Sequence, residues 1–341
     1  MRLPTHDLAE QKAIGDAPLR AELFSAGQME QHGYALAKQH VLAAGHSGDR
    51  LLSRLAENEE ILLHAVRILT ATVKANNRVS PAGEWLLDNF YLVEEQIRIA
   101  KSHLPKGYSK QLPRLLGGVN SNFPRVYDIA LETISHGDGR LDSESLSRLV
   151  SAYQTVTHLT LGELWAIPIM LRMALIENLR RVAARIAIDS EEREFAQSWA
   201  QQMIEIAERD PKNLVVTLAD MARSGPPRAS AFVAELTRLL RGQGPALALP
   251  LSWIEQWLSE IGLTTEQLVQ SESQLQAQDQ VSISNTISSL RSLASFNWRD
   301  FVEDHSSVEQ ILRDDPSAVY KQMDFATRDH YRHVVEKLAK N

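Results

Sequence analysis

The chain has 341 residues, 44% hydrophobic and 23% charged, the balance of a globular protein with room for a large core. A formal net charge of −7 argues against a surface built to neutralise phosphates, so nucleic acid is not expected as a partner. With no cysteine, disulfides, thiolate nucleophiles and Cys-ligated zinc are excluded together.

The opening stretch MRLPTHDLAEQKAIGDAPLR carries charges every few positions and lacks the apolar centre of a secretory signal. Beyond it, apolar residues recur at spacings of three and four, and alternating Val/Ile/Thr runs are nearly absent. This predicts an all-α fold, a multi-helix bundle or stacked helical hairpins with no β-sheet of note. Residues 47–77 read as one or two amphipathic helices ending near Asn76 and Asn77. Ser80 is placed as the N-cap and Pro81 as the first residue of a helix that ends before Pro105. Residues 104–126 hold three prolines and three glycines, yet Tyr108, Leu112, Leu115, Leu116, Val119 and Phe123 make them too apolar for a free linker. An ordered connector is expected there.

Helix resumes at Pro124, stops at the turn His136–Gly139, and restarts behind a cap at Asp142 or Ser143 to about Tyr153. Further helices are expected at Ser190–Glu208, Leu214–Met221, Ala229–Leu240, Leu251–Ile261, Thr265–Gln278 and Val281–Ser295. Pro and Gly occur together in Arg223–Ser230 and Arg241–Pro250, so an N-terminal helical domain, 1–222, and a C-terminal subdomain, 229–341, are expected. No repeat at a fixed period is found.

The most apolar stretch is LGELWAIPIMLRMALIENLRR, Leu161–Arg181. Its uncharged run Leu164–Leu171 stops at Arg172, short of the about 20 apolar residues a membrane helix needs. A core helix is expected instead, N-capped by Thr160 and kinked at Pro168, in which Glu163 and Arg172 need partners from other helices.

Motifs for chemistry are sparse. His330, His333 and Glu336 are spaced to share one side of a helix, but no matching carboxylates accompany them, and His40 and His46 supply no regular partner. They read as surface or packing residues, and no metal or other cofactor is expected in this chain. HGDGRLDSESL (His136–Leu146) lacks the alternate ligand spacing of a calcium loop and reads as a turn before an N-cap. Gly-x-Ser-x-Gly, Gly-x-x-x-x-Gly-Lys and Gly-x-Gly-x-x-Gly are all missing. Glu94 and Glu95 diverge by about 100° on a helix and cannot flank one glycosidic bond; one of them is expected to turn inward and pair with Arg98. Trp85, Phe90 and Tyr91 beside Glu84, Asp88 and Asn89 suit either a glycan groove or core aromatics with a polar rim, and the core reading is preferred. Trp253 and Trp257 read as packing.

Longer blocks carry a resemblance. EWLLDNFYLVEEQIRIAKSHLPKGYSKQLPRL, FPRVYDIALETISHGDGRLDSESLSRLVSAYQ, LTLGELWAIPIMLRMALIENLRRVA, QVSISNTISSLR and FNWRDFVEDHSSVEQILRDDPSAVYKQMDFATRDHYRHVVEKLA resemble, in family order, the N-terminal region of the cyclic β-1,2-glucan synthases. The blocks cover about 85–341, and the first 80 residues resemble the family only loosely. The resemblance implies a large bacterial inner-membrane parent that makes β-1,2-glucan from UDP-glucose, with membrane helices, a glucosyltransferase domain, a cyclising domain and a phosphorylase-like domain beyond this region. Neither Asp-x-Asp nor Gln-x-x-Arg-Trp, which such a transferase would need, occurs here, so no catalytic residue is carried over.

The expectation is a non-catalytic helical scaffold on the cytoplasmic face of the inner membrane, packed against the remaining domains of the parent, with the DFATRDHYRH block near the membrane entry. The alternative is a β-1,2-glucan-binding module with Trp85, Tyr91, Tyr108 and Trp165 as platforms. Together with Glu94, Glu163 and Arg172 these form the candidate glycan or interdomain surface. An all-α hydrolase using two of Glu84, Asp88, Glu94, Asp128 and Glu163 is least favoured, because a twelve-helix barrel demands a longer chain. A helical ending at EKLAKN without a C-cap glycine suggests a natural chain that continues past Asn341.

Overall fold

The computed structural model describes residues 17–43, 50–104, 107–227 and 229–339; the opening sixteen residues, His46, Pro105 and the last two residues lie outside them. In chain order the helices are α1 (Ala26–Gln39), α2 (Leu51–Lys74), α3 (Pro81–Asp88), α4 (Phe90–His103), α5 (Arg125–His136), α6 (Ser143–Gln154) and α7 (Leu161–Arg209). They continue as α8 (Leu214–Arg223), α9 (Ser230–Leu240), α10 (Ala248–Ser259), α11 (Thr265–Ser292), α12 (Trp298–His305), α13 (Ser307–Arg313) and α14 (Phe325–Ala339). Among the described residues there is no strand, only isolated bridges at Leu42–Leu115 and Arg114–Pro124 that tie down the expected connector. The fold is all-α. Among those residues no helix is long and apolar enough to cross a membrane.

Local chemistry accounts for most helix starts. Ser25 and Gln28 form a reciprocal capping box, with Ser25 N donating to Gln28 Oε1 at 2.9 Å. Thr264 and Gln267 repeat it at the head of α11. Ser80 Oγ accepts from Gly83 N, and the Asp142 carboxylate accepts from Ser145 N at 2.8 Å, as their spacing predicts. Two expectations are corrected. Helix starts were expected at Ser190 and Val281, but α7 runs unbroken through 190 and α11 unbroken through 281. Polar residues weaken the apolar period at both places, but neither holds the Gly or Pro that stops a helix. α7 also stays helical through Pro168, whose missing N–H lies in the second turn.

The chain divides into two compact units, neither of which is one continuous stretch. One gathers Ile61–Asp88 with Val182–Ile283. Its core holds Met203, Leu214, Met221, Phe232, Leu236, Leu240, Ile254 and Leu258, with Trp253 and Trp257 stacked and packed against it as expected. The other gathers Ala17–Glu60, Asn89–Arg181 and the chain from Ser284. In it the first half of α7 is buried on almost every side, from Leu164 through Ala166, Met170, Leu171, Met173, Leu175 and Leu179, as expected for a central helix. At about 1.5–3 kcal/mol per large apolar side chain, that burial outweighs the cost of one proline.

α1 and α6 approach backbone to backbone in this second unit. A Cβ added at Gly33 would lie 2.4 Å from the Leu149 carbonyl oxygen, whereas one at exposed Gly27 meets nothing within 4 Å. Gly33→Ala must push two helices apart and is expected to cost about 1–3 kcal/mol. Gly27→Ala should cost nothing, and urea unfolding of the two variants measures the difference.

Candidate functional site

The head of α7 holds a polar cluster around Glu163, one of the two residues expected to need partners. Thr160 caps it, with its backbone N–H donating to Glu163 Oε2 at 2.9 Å and its hydroxyl oxygen accepting from Glu163 N at 3.2 Å. Glu163 is fully buried and takes a two-pronged bond from Arg125, Nε at 2.6 Å and Nη2 at 2.7 Å. Burial alone would lower the Arg125 pKa, but its bonds to Glu163 outweigh that and raise it. The Glu336 carboxylate accepts from Leu161 N and so satisfies another free donor of the same turn. Beside it His40 bridges Asp128, 2.9 Å from Nε2, and the Tyr153 hydroxyl, 2.9 Å from Nδ1, while Asn120 donates to the other Asp128 oxygen.

Four turns further along, Glu177 is ringed by three arginines. Arg54 reaches it at 2.6 and 2.9 Å, and Arg180 and Arg181 each at 2.7 Å. Burial works to raise its pKa, but the three guanidiniums win and hold it at about 2. A third cluster sits at α14, where fully buried Arg332 bonds Glu303 at 3.1 Å, Glu309 at 2.5 Å and Asp329 at 3.0 Å. Tyr320 donates to Glu309 at 2.6 Å. His330 and His333 on the same helix are exposed and, with Glu336 turned to α7, do not converge.

The candidate glycan or interdomain residues are scattered. Trp85 lies in the first unit and the other six in the second. Glu163 and Arg172 have the partners expected, the latter donating from Nε to Gln96 Oε1 at 2.9 Å on α4. Since Gln96 carries no charge, burial still lowers the Arg172 pKa. Trp165 is half-buried with its ring edge-on to Phe325, and Tyr108 is half-buried, which raises its phenol pKa. Two preferences are corrected. Trp85 and Tyr91 are not core aromatics: they stand 39% and 66% exposed, because the buried faces of α3 and α4 are those of Ala82, Gly83 and Leu86 and of Leu92, Val93, Gln96 and Ile97. Neither Glu94 nor Glu95 turns inward, and Arg98 is exposed with them; Gln96 takes the inward position.

The first unit contains a cavity of about 390 Å³ that sequence patterning does not reveal. Among the described residues four arginines, Arg78, Arg193, Arg238 and Arg241, face it against two glutamates, Glu235 and Glu272, and no aromatic ring lines it. Arg193 bonds Glu272 and Arg238 bonds Glu235, both at 2.7 Å. The buried Thr237 hydroxyl has no hydrogen-bond partner among the described residues. The lining suits an anionic group and offers no stacking face for a sugar ring.

Near that cavity burial and neighbouring carboxylates raise Asp189 and Glu192 to about 7 each. Both therefore bind protons more tightly folded than unfolded, so their contribution is complete below about pH 4 and lost as pH rises through 7. Glu177 works the other way, its contribution being present above about pH 4.5 and lost as pH falls toward 2. For these three groups together stability should therefore peak near about pH 4. Asp189→Asn should raise the melting temperature at pH 8 and leave it nearly unchanged at about pH 3.5, below the unfolded carboxyl's own pKa, which calorimetric melts would read. Arg125→Met strands the buried Glu163 charge and is expected to cost about 3–5 kcal/mol in urea unfolding.

No family profile matches the chain. It is 31% identical over 339 residues to the Cyclic beta-(1,2)-glucan synthase NdvB of Rhizobium meliloti (strain 1021), a match that covers 99% of this chain and 12% of that much longer protein. The family resemblance carried by the sequence blocks is thereby borne out, and extends to the loosely matched opening: over nearly its whole length the chain is related to a region of a cyclic β-1,2-glucan synthase.

Proposed function

We propose that this chain serves as a non-catalytic helical scaffold of a β-1,2-glucan synthase that uses UDP-glucose, on the cytoplasmic face of the bacterial inner membrane, packing against the parent's remaining domains. The observation that carries the reading is the fate of the acidic side chains considered as candidates for chemistry on a sugar. Glu163 is consumed by Arg125 and a helix cap, and Asp128 by His40 and Asn120. Glu84, Asp88 and Glu94 stand exposed on the surface. A retaining or inverting glycosidase needs two carboxyls about 5–10 Å apart across one open bond site, and these five are divided between ion-paired interior and open surface.

A glucan-binding role is the second reading, favoured by the exposure of Tyr91 and Trp85, whose ring faces could stack on glucose. The purified 341-residue chain incubated with UDP-glucose should release and transfer no sugar; measurable glucosyl transfer overturns the scaffold proposal. Calorimetry with linear and cyclic β-1,2-glucans separates the two readings. Heat at millimolar ligand that disappears in Tyr91→Ala supports binding, and absence of heat ends it.

A further inference from the structure

We propose that His32, Glu132 and His136 form a binding site for a borderline divalent transition-metal ion, with Zn²⁺ the best match. Glu132 and His136 are four residues apart on α5 and so occupy one face, one turn apart, while His32 reaches them from α1. One ligand atom from each of the three lies within 4.8 Å of the others. His32 Nε2 is 2.8 Å from Glu132 Oε2, and His136 Nε2 is 3.4 Å from the same oxygen. Ligands around a tetrahedral ion with bonds of about 2.0–2.1 Å stand about 3.3 Å apart. The His136–Glu132 spacing already meets that, and the His32–Glu132 spacing needs to open by about half an ångström.

The surroundings orient the rings as ligands. His136 Nδ1 lies 2.7 Å from the Glu22 carbonyl oxygen, which can only accept, so Nδ1 carries the hydrogen and Nε2 directs its lone pair at the cluster. The Phe24 ring stacks on His136 with centroids 3.7 Å apart and planes within 9°, which fixes the ring plane. Phe24 is held in turn by its N–H, 3.1 Å from the His136 carbonyl oxygen. In the neutral ring, His136 Nε2 and Glu132 Oε2 are two acceptors facing each other at 3.4 Å, a contact that a cation between them makes attractive. All three residues are half-buried, so the cluster is partly desolvated and still reachable. Two imidazoles and one carboxylate favour Zn²⁺ over the hard ions Mg²⁺ and Ca²⁺, and three protein ligands leave the fourth position for water. The ion would join α1 and α5 in one coordination sphere, with the segment at Glu22–Phe24 holding His136 from outside it.

The test uses the full chain stripped with EDTA near neutral pH and titrated with Zn²⁺ by calorimetry. One ion per chain, a raised melting temperature and no response to Mg²⁺ are expected. His32→Asn and His136→Asn should each weaken binding by at least the roughly 100-fold that loss of an outer-sphere partner alone can cost. His330→Asn, at an exposed histidine elsewhere, should leave it unchanged. Should the cluster variants fail to fold, Co²⁺ added to the unaltered chain decides: intense visible bands of a four-coordinate site support the proposal. No Zn²⁺ heat at tens of micromolar, undiminished affinity in the His32/His136 double variant, or weak six-coordinate Co²⁺ bands would overturn it.

Discussion

A carboxylate taken out of water stays ionised only where cations and donors replace the water, and that requirement organises the first half of α7. Glu163 and Glu177 lie at 0% and 1% exposure in the most apolar segment of the chain. Arg125 must therefore sit against the head of the helix, and Arg54 must meet it four turns on. Each pairing adds little net stability over an apolar substitute, but a missing partner would leave a buried charge costing several kcal/mol. The ion pairs thus act chiefly against wrong arrangements: α2, α5 and α7 can pack in the register that brings these groups together and in few others.

The same rule recurs at the end of the chain, where Arg332 is fully buried among Glu303, Glu309 and Asp329. The block around it, DFATRDHYRH, presents its histidines outward and its arginines inward. Charges spent on internal pairing are held by short bonds and are poorly placed to exchange protons with a substrate. What remains open to solvent or cavity is of another chemistry: the arginine-rich pocket of the first unit, the exposed Tyr91 and Trp85 rings, and the half-buried His32, Glu132 and His136.

The sequence was legible where the causes are local. Ser80, Asp142 and Thr160 announce helix starts because a side-chain oxygen three residues from a free N–H has only that neighbour to satisfy. It was less legible where a helix continues through polar residues, as at Ser190 and Val281, since weakened apolar periodicity resembles a boundary without a breaker behind it. Inward faces were misread at Glu94, Tyr91 and Trp85, because a helix with apolar residues on more than one side does not say which of them meets a neighbour. The His32–Glu132–His136 cluster left only a faint signal, an acid and a histidine four apart on one helix; the third member lies 100 residues away.

By itself, then, the sequence determined the all-α class, most helix starts, the core character of Leu161–Arg181 and the need for partners at Glu163 and Arg172. Periodicity, capping and the cost of a buried charge act within a few residues or do not depend on position at all. Which groups answer that need was decided only in three dimensions. Arg125 is 38 residues from Glu163 and Gln96 is 76 from Arg172. A charge states that it must be matched, but the identity of its match depends on how whole helices pack.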